Sequence, residues 1–261
     1  MADERIRAEA RGFHQGAEAY EVARPSYPAD AVACIVGRAG IGPGRAVLDL
    51  AAGTGKLTRL LTATGADVIA VEPIEGMRTQ LKTACPDVEV LDGTAESIPV
   101  AEASVDAVTV AQAFHWFDPQ PALAEVARVL RPEGSFVLVW NVADRESPWL
   151  RDYFDIVTSH GGVLPYERFM ADVDQPALVA EAGRGAFTPL EEWRTSWTHL
   201  MGPEMLVERA ASISVVASLP EAERAEVLRR IAELVATHPD LAGRESFGFP
   251  YVTRVLWCQK R

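Results

Sequence analysis

The chain contains no run of about 18 consecutive apolar residues, so no part of it reads as a membrane-spanning helix. Cysteine is scarce: Cys34, Cys85 and Cys258 stand alone among 261 residues. That spacing excludes a C-x-x-C motif and offers no disulfide framework, and the expected compartment is a reducing cytoplasm. Positive charge is the minority sign, with 25 Lys and Arg against 37 Asp and Glu, a formal net charge of −12 and no long like-charge run. Neutralising a phosphate backbone requires clustered Lys and Arg, so nucleic acid is not an expected partner. His14, His160, His199 and His238 are scattered without metal-ligand spacing, and no metal is expected. The first residues, Met-Ala-Asp-Glu-Arg, lack the apolar centre of a signal peptide. No internal repeat or low-complexity tract appears. Hydrophobic residues make up 48% of the chain, enough for a sizeable core in one domain or in one domain with a large insertion.

Residues 46–55, Ala-Val-Leu-Asp-Leu-Ala-Ala-Gly-Thr-Gly, are the most informative stretch. A short apolar strand ends in a turn of small residues, and a helical pattern follows at once. Small residues let a ligand approach the main chain. A second apolar run, Val68 to Val71, ends in Glu72, whose carboxylate can accept hydrogen bonds from two ribose hydroxyls. Together these features read as a site for an adenosine-containing ligand. A dinucleotide fingerprint G-x-G-x-x-G would need glycine where Thr58 stands, and a phosphate loop would need Ser or Thr after Gly55-Lys56, where Leu57 stands. The spacing present is Asp49-x-Ala51-x-Gly53-x-Gly55.

In that spacing the chain resembles the class I S-adenosylmethionine-dependent methyltransferases, a small-molecule branch with an aromatic His-Trp-Phe element. It departs from the family at Ala51, where glycine is usual. The resemblance covers roughly residues 13–141 well and the remainder loosely. It implies that Glu72 holds the ribose and that Pro73 and Met77 pack on the adenine face. Thr94-Ala95 occupies the position where family members often carry Asp-Ala, whose Asp bonds the adenine amino group. Strand four runs from Val105 to Ala111 and leads into Gln112-Ala113-Phe114-His115-Trp116-Phe117-Asp118. Gln112 joins the implied cofactor contacts. Tyr20-x-x-x-Arg24-Pro25-Ser26-Tyr27-Pro28 looks like an N-terminal lid over residues 13–28.

Strands and helices alternate through the first half: strands 46–50, 67–72, 87–91, 105–111 and 135–141, helices 56–64, 75–84 and 119–130. That rhythm implies a parallel sheet with helices on both faces, and the near-continuous apolar strands fit burial on both sides. Residues 187–200 read as a strand-pair element. Ser218-Leu219-Pro220-Glu221 reads as a capping box before a helix, and Tyr251 to Gln259 as a last strand. The resemblance implies a Rossmann-like α/β sheet of seven strands in order 3-2-1-4-5-7-6, with the last strand antiparallel. It also implies one domain over 1–261, capped by segments 142–185 and 203–245.

Asp49 is mid-motif and its expected role is indirect: bonding loop amides, or reaching the cofactor through water. Arg24 on the lid is matched to the methionine carboxylate, since a guanidinium pairs with a carboxylate in a bidentate way; an ordinary ion pair is the alternative. His115 follows strand four, where its near-neutral default pKa suits removal of a proton from an acceptor hydroxyl; the alternative is a hydrogen-bonded ring that shapes the pocket. The expected reaction is in-line displacement on the sulfonium methyl of S-adenosylmethionine, with alignment of the acceptor supplying roughly 7–11 kcal/mol of the barrier. O-methylation of a small molecule is slightly favoured. The competing reading is a protein that binds the cofactor without methylating, as a regulator or a promoter of another reaction such as a cyclisation. Monomer and homodimer remain open.

Overall fold

The computed structural model describes Glu21, residues 23–161, Leu164, Phe169 and residues 174–261. Helix α1 (Ala29–Ala39) precedes β1 (Ala46–Leu50), α2 (Lys56–Thr62), β2 (Asp67–Val71), α3 (Glu75–Ala84), β3 (Glu89–Leu91) and β4 (Val105–Ala111). A 3-10 turn (Phe114–Trp116) then leads to α4 (Pro119–Val129) and the long β5 (Leu130–Ala143). Next come α5 (Pro148–Val157), α6 (Gln175–Ala182), β6 (Glu191–Met201), α7 (Pro203–Ala211), α8 (Ser214–Ala217), α9 (Glu221–Thr237) and β7 (Phe247–Gln259).

The strands form one seven-stranded sheet in order β3-β2-β1-β4-β5-β7-β6. The first five are parallel neighbours, and β7 runs antiparallel to both β5 and β6. Side-chain alternation explains the two covered faces. Val47, Ala107, Val137, Val139, Val255 and Trp257 pack with Ile35 of α1 and Leu57 and Leu61 of α2. Their neighbours Leu48, Val108, Phe136, Leu138, Leu256 and Cys258 face the other way, against Leu123, Val126 and Val129 of α4. These strands are apolar on both faces because helices cover both.

The α4 stripe forms as its sequence suggests, with Asp118 before the helix and Pro119 in its first turn. Strand β5 begins at Leu130, five residues before the expected start at Ser135. Leu130 pairs with Val105, and pairing resumes only at Ser135 opposite Ala107, so residues 131–134 bow out of the ladder. Residues 187–200 do not form a strand pair. They contribute β6 alone, whose partner is the distant β7, and Phe187 makes only an isolated bridge to Lys260. The capping box also does not form. Pro220 takes the N-cap position of α9 without a side-chain cap, while the Ser218 hydroxyl donates back to the Val215 carbonyl.

A second core lies away from the parallel strands. Trp149, Leu150, Tyr153, Phe154 and Val157 of α5 pack with Leu206 and Ala210 of α7, Val216 of α8, Val227 and Ile231 of α9, and the first half of β7. Helix α6 does not join this layer: Val179 packs into the sheet core on the α4 side. No helix among the described residues is long and apolar enough to cross a membrane.

Candidate active site

The parallel strands end at a crevice between β1 and β4, where the sheet order reverses. The loop after β1 turns through left-handed backbone at Ala51 (φ 56°), Gly53 (φ 58°) and Gly55 (φ 86°). Gly53 has nothing within 4 Å of where a Cβ would stand, so open space lies over the loop at that point. At Gly55 a Cβ would meet Leu81 Cγ at 3.0 Å, which makes this glycine a packing requirement between α2 and α3.

Glu72 follows β2 and is 4% exposed. Its Oε2 accepts the Gly53 N–H and its Oε1 the Ile74 N–H, each at 2.9 Å. Arg78 holds the main chain there, donating to the Glu72 carbonyl at 2.8 Å and to Asp92 at 3.0 Å. Burial raises the Glu72 pKa to about 7, against the pull of those two amides and of Arg78. A carboxylate offers about four acceptor positions, so capacity remains on the crevice side for a pair of hydroxyl donors. The residues present therefore fit an adenosine sugar.

Asp49 lies beneath the loop rather than along the crevice. It is fully buried, with Oδ2 accepting the Thr58 hydroxyl at 2.6 Å and Oδ1 the Thr109 hydroxyl at 3.0 Å. Burial raises its pKa to about 6 in spite of these bonds. It ties β1, α2 and β4 together through the two hydroxyls and the Thr58 main chain.

Ala51, Gly53, Glu72, Pro73, Met77, Thr94, Ala95 and Gln112 line one continuous crevice with Ile74, Trp116 and Phe117. Gln112 reaches it from left-handed backbone (φ 58°) at the end of β4. The crevice opens into a second compartment that shares Ala51, Gly53, Gln112 and Trp116 and adds Arg24, Lys56, His115, Asn141, Phe154, Arg209 and Tyr251. Of the expected site residues, Asp49 and Gly55 thus support the loop from behind, and Tyr20 falls outside the described residues.

The segment around Arg24 bridges the loop and the helical layer. Glu21 accepts the Thr54 hydroxyl at 2.5 Å and Arg59 at 2.6 Å, and its carbonyl accepts Lys56 Nζ at 2.6 Å. Arg24 donates to the Ser212 hydroxyl and carbonyl, both at 3.1 Å. Asn141 fastens the same segment to β5 by donating to the Ser26 carbonyl at 3.1 Å. The His115 ring lies 4.7 Å from that of Trp116 and takes the Trp140 indole N–H on Nδ1 at 3.5 Å. An indole can only donate, so the neutral imidazole in this arrangement carries its proton on Nε2.

Sequence reasoning missed Lys56, Asn141, Arg209 and Tyr251. For Arg209 a signal was present. It falls on the buried face of α7 with Leu206 and Ala210, a position where an arginine is out of character. Lys56 directly follows the first motif with no pattern that marks it, and Asn141 and Tyr251 come from distant segments with none of their own. Among the described residues no group of His, Cys, Asp and Glu could hold a metal ion.

Comparison with known proteins agrees with this geometry. Residues 48–138 match a family model described as a methyltransferase domain. An uncharacterized methyltransferase of Mycobacterium tuberculosis is 42% identical over 241 residues, covering 92% of this chain and 92% of that protein. A demethylmenaquinone methyltransferase of Renibacterium salmoninarum is 38% identical over 105 residues, which is 40% of this chain and 44% of that one. In fold, the chain superposes with a TM-score of 0.61 and 24% identity on a crystal structure from Anabaena variabilis, named provisionally as a methyltransferase of an antibiotic biosynthesis pathway, covering 87% of this chain and 96% of that one. By sequence and by the architecture of its crevice, the chain belongs to the class I S-adenosylmethionine-dependent methyltransferases, enzymes that draw their methyl group from that sulfonium.

Proposed function

We propose that the enzyme methylates an oxygen of a small molecule held in the second compartment, with the cofactor's nucleoside in the crevice beside it. The observation that carries this reading is the Glu72 carboxylate, buried at the foot of the crevice and aimed by the Gly53 and Ile74 amides. Glu72 binds the ribose diol. Pro73, Met77, Thr94 and Ala95 enclose the adenine, and Ala51 and Gly53 give the cofactor close access to the main chain. Arg24 meets the methionine carboxylate, and Gln112 stands where the two compartments join. When bound, the sulfonium supplies an already activated methyl carbon, so the protein's task is alignment and exclusion of water.

His115 meets the acceptor. With Nδ1 engaged by Trp140, it does so as a hydrogen-bond donor through Nε2, orienting an acceptor oxygen. Removing a proton would require the ring to give up the indole bond first. Such a site suits an acceptor oxygen that is already anionic and needs no base. The partial likeness to demethylmenaquinone methyltransferases, whose named acceptor is a small molecule, supports an acceptor of that size.

We read 1–261 as one methyltransferase domain, with 13–28 as lid and 142–185 and 203–245 as cap. The packed part of that cap is α5 with α7 to α9, while α6 lies with α4. The thiols Cys34, Cys85 and Cys258 suit a cytoplasmic setting. The test is calorimetry with S-adenosylhomocysteine on the wild type and on Glu72→Ala. Losing charge-assisted bonds to a diol is expected to weaken binding at least about a hundredfold. Equal affinity in the two proteins would refute the assignment.

A further inference from the structure

The segment that follows Glu21 lies across the second compartment as a strap. Arg24, Pro25 and Tyr27 line that compartment, and no residue before Ala29 lines the crevice of Glu72 among the described residues. The strap therefore meets the part of a ligand that reaches beyond its nucleoside. Its first end is held by Glu21, through contacts to Thr54, Lys56 and Arg59. That end is open to water, with the side chains of Glu21 and Arg59 30% and 34% exposed. Ion pairs in such a setting hold weakly. The other end is held from inside the sheet.

Asn141 on β5 and Thr253 on β7 stand directly opposite each other. Trp197 on β6 is opposite Tyr251, one diagonal step from Thr253 on the same face of the sheet. The Trp197 indole N–H donates to the Thr253 hydroxyl at 2.7 Å, and that hydroxyl donates to Asn141 Oδ1 at 2.6 Å. Asn141 Nδ2 then donates to the Ser26 carbonyl of the strap at 3.1 Å. The direction of the chain is fixed from one end. An indole cannot accept, so the Thr253 oxygen takes its proton and directs its own to Asn141. The amide oxygen is thereby committed to Thr253, and the NH2 faces the strap. Thr253 is fully buried and Asn141 nearly so. A buried polar chain satisfied at every step is stiff. Joining the strands would not need it, because an apolar pair would serve, and this chain ends on a carbonyl outside the sheet.

We propose that Asn141 and Thr253 are positioning residues that fix the strap against the amino-acid arm of the cofactor, so that affinity for that arm, and not for the nucleoside, depends on a hydroxyl inside the sheet. Thr253 lines neither compartment and acts only through Asn141. The inference rests on the cofactor reading above and adds the device that holds the arm. A strap already held in place gives up less freedom when the arm binds. Without the Thr253 hydroxyl, the Asn141 amide can turn over and present its oxygen to the Ser26 carbonyl. Two acceptors then face each other, and the strap loses its inner anchor.

The experiment compares S-adenosylhomocysteine with methylthioadenosine, which carries the same nucleoside and lacks the amino-acid arm, by calorimetry on the full chain. On the wild type the first is expected to bind at least about tenfold tighter. Thr253→Val is expected to weaken S-adenosylhomocysteine by at least about fivefold and to leave methylthioadenosine within about twofold. Asn141→Ala removes the tether itself and is expected to give the same loss, which decides the matter should the valine variant not fold. Thr253→Ser keeps the hydroxyl and is expected to keep the wild-type ratio. Glu72→Ala is the contrast, expected to weaken both ligands in step because both carry the ribose diol. The ratio is the readout because a purely structural role would lower both affinities alike. Parity of the two ligands on the wild type overturns the inference, as does a wild-type ratio in either folded variant that breaks the relay. Loss of the ratio in Thr253→Ser overturns it too, by placing the effect in the methyl group. Failure of both ligands to bind the wild type would instead strike the cofactor reading.

Discussion

Glu72 and Gly53 are joined across the mouth of the crevice: a buried carboxylate oxygen takes the main-chain N–H of the loop after β1 at 2.9 Å. The bond couples the loop that a nucleoside would lie on to the acid that would hold its sugar. Because burial brings the Glu72 pKa to about 7, ionisation of this group falls in the working range. Two hydroxyl donors favour the ionised form, so binding lowers the pKa and expels a proton wherever the free acid is protonated. Cofactor affinity is then steady above pH 7 and falls by up to about tenfold per unit below it. Titrations of S-adenosylhomocysteine between pH 5.5 and 8.5 check this, and flat affinity across that range would contradict it.

The same group shapes stability in the opposite sense. A carboxyl whose pKa is raised from 4.5 to about 7 on folding takes up protons in the folded state. Its ionisation therefore costs stability, progressively from pH 4.5 upward and fully above 7, by on the order of 3 kcal/mol. Glu72→Gln loses this dependence, though its amide NH2 meets a main-chain N–H and wastes one bond. The difference in unfolding free energy between variant and wild type should move in favour of Gln between pH 5 and 8. Urea melts at both pH values give it directly.

Ala51 holds a left-handed backbone angle (φ 56°) that alanine adopts only with strain. Relief of that strain is worth about 1–2 kcal/mol, and the added freedom of glycine in the unfolded chain takes back about 0.4–1 kcal/mol. Ala51→Gly should leave stability unchanged or raise it by up to about 1.6 kcal/mol, with cofactor binding retained. A clear fall in melting temperature would mean that the methyl group packs usefully.

Asp49 depends on two hydroxyls. Thr58→Val removes the one at 2.6 Å and is expected to cost about 1.5–3 kcal/mol, the range for a hydrogen bond to a charged group. It also raises the Asp49 pKa beyond about 6, so the loss should shrink as the pH falls and the acid is neutralised. In an Asp49→Asn background the same substitution should cost markedly less. Equal costs in both backgrounds would show that Thr58 acts by packing alone.

The indole of Trp140 sets the tautomer of His115. Nitrogen-15 spectra of the neutral protein are expected to show the proton on Nε2 of His115. A donor role predicts that His115→Gln keeps most of the methyl-transfer rate and His115→Ala loses about tenfold or more. A comparable collapse in both variants would point to proton removal.

Much of the sheet was legible in the chain because its strands are apolar runs closed by small or acidic residues. β1, β4 and the acid after β2 announce themselves in that way. β6 misled because it is an edge strand with one half-buried face, and its true partner β7 lies about fifty residues later. The capping box misled because Ser218 still belongs to the end of α8, where its hydroxyl bonds Val215. At the site, the residues that touch the crevice near the first motif could be read from spacing. In the second compartment Arg24 and His115 could be read from their motifs, and most of the other walls could not. Asn141, Phe154, Arg209 and Tyr251 meet only through β5, β7 and the helices packed on them, and such convergence leaves no local pattern.

β7 belongs to two cores at once. Phe247, Phe249 and Tyr251 pack with the helices, whereas Val255 to Cys258 pack within the sheet. The roof of the second compartment is therefore welded to its floor by a single unbroken rung of backbone. Diversification among relatives should then spare this girder and concentrate in α7 and α8, where a side chain can be exchanged without tilting the roof.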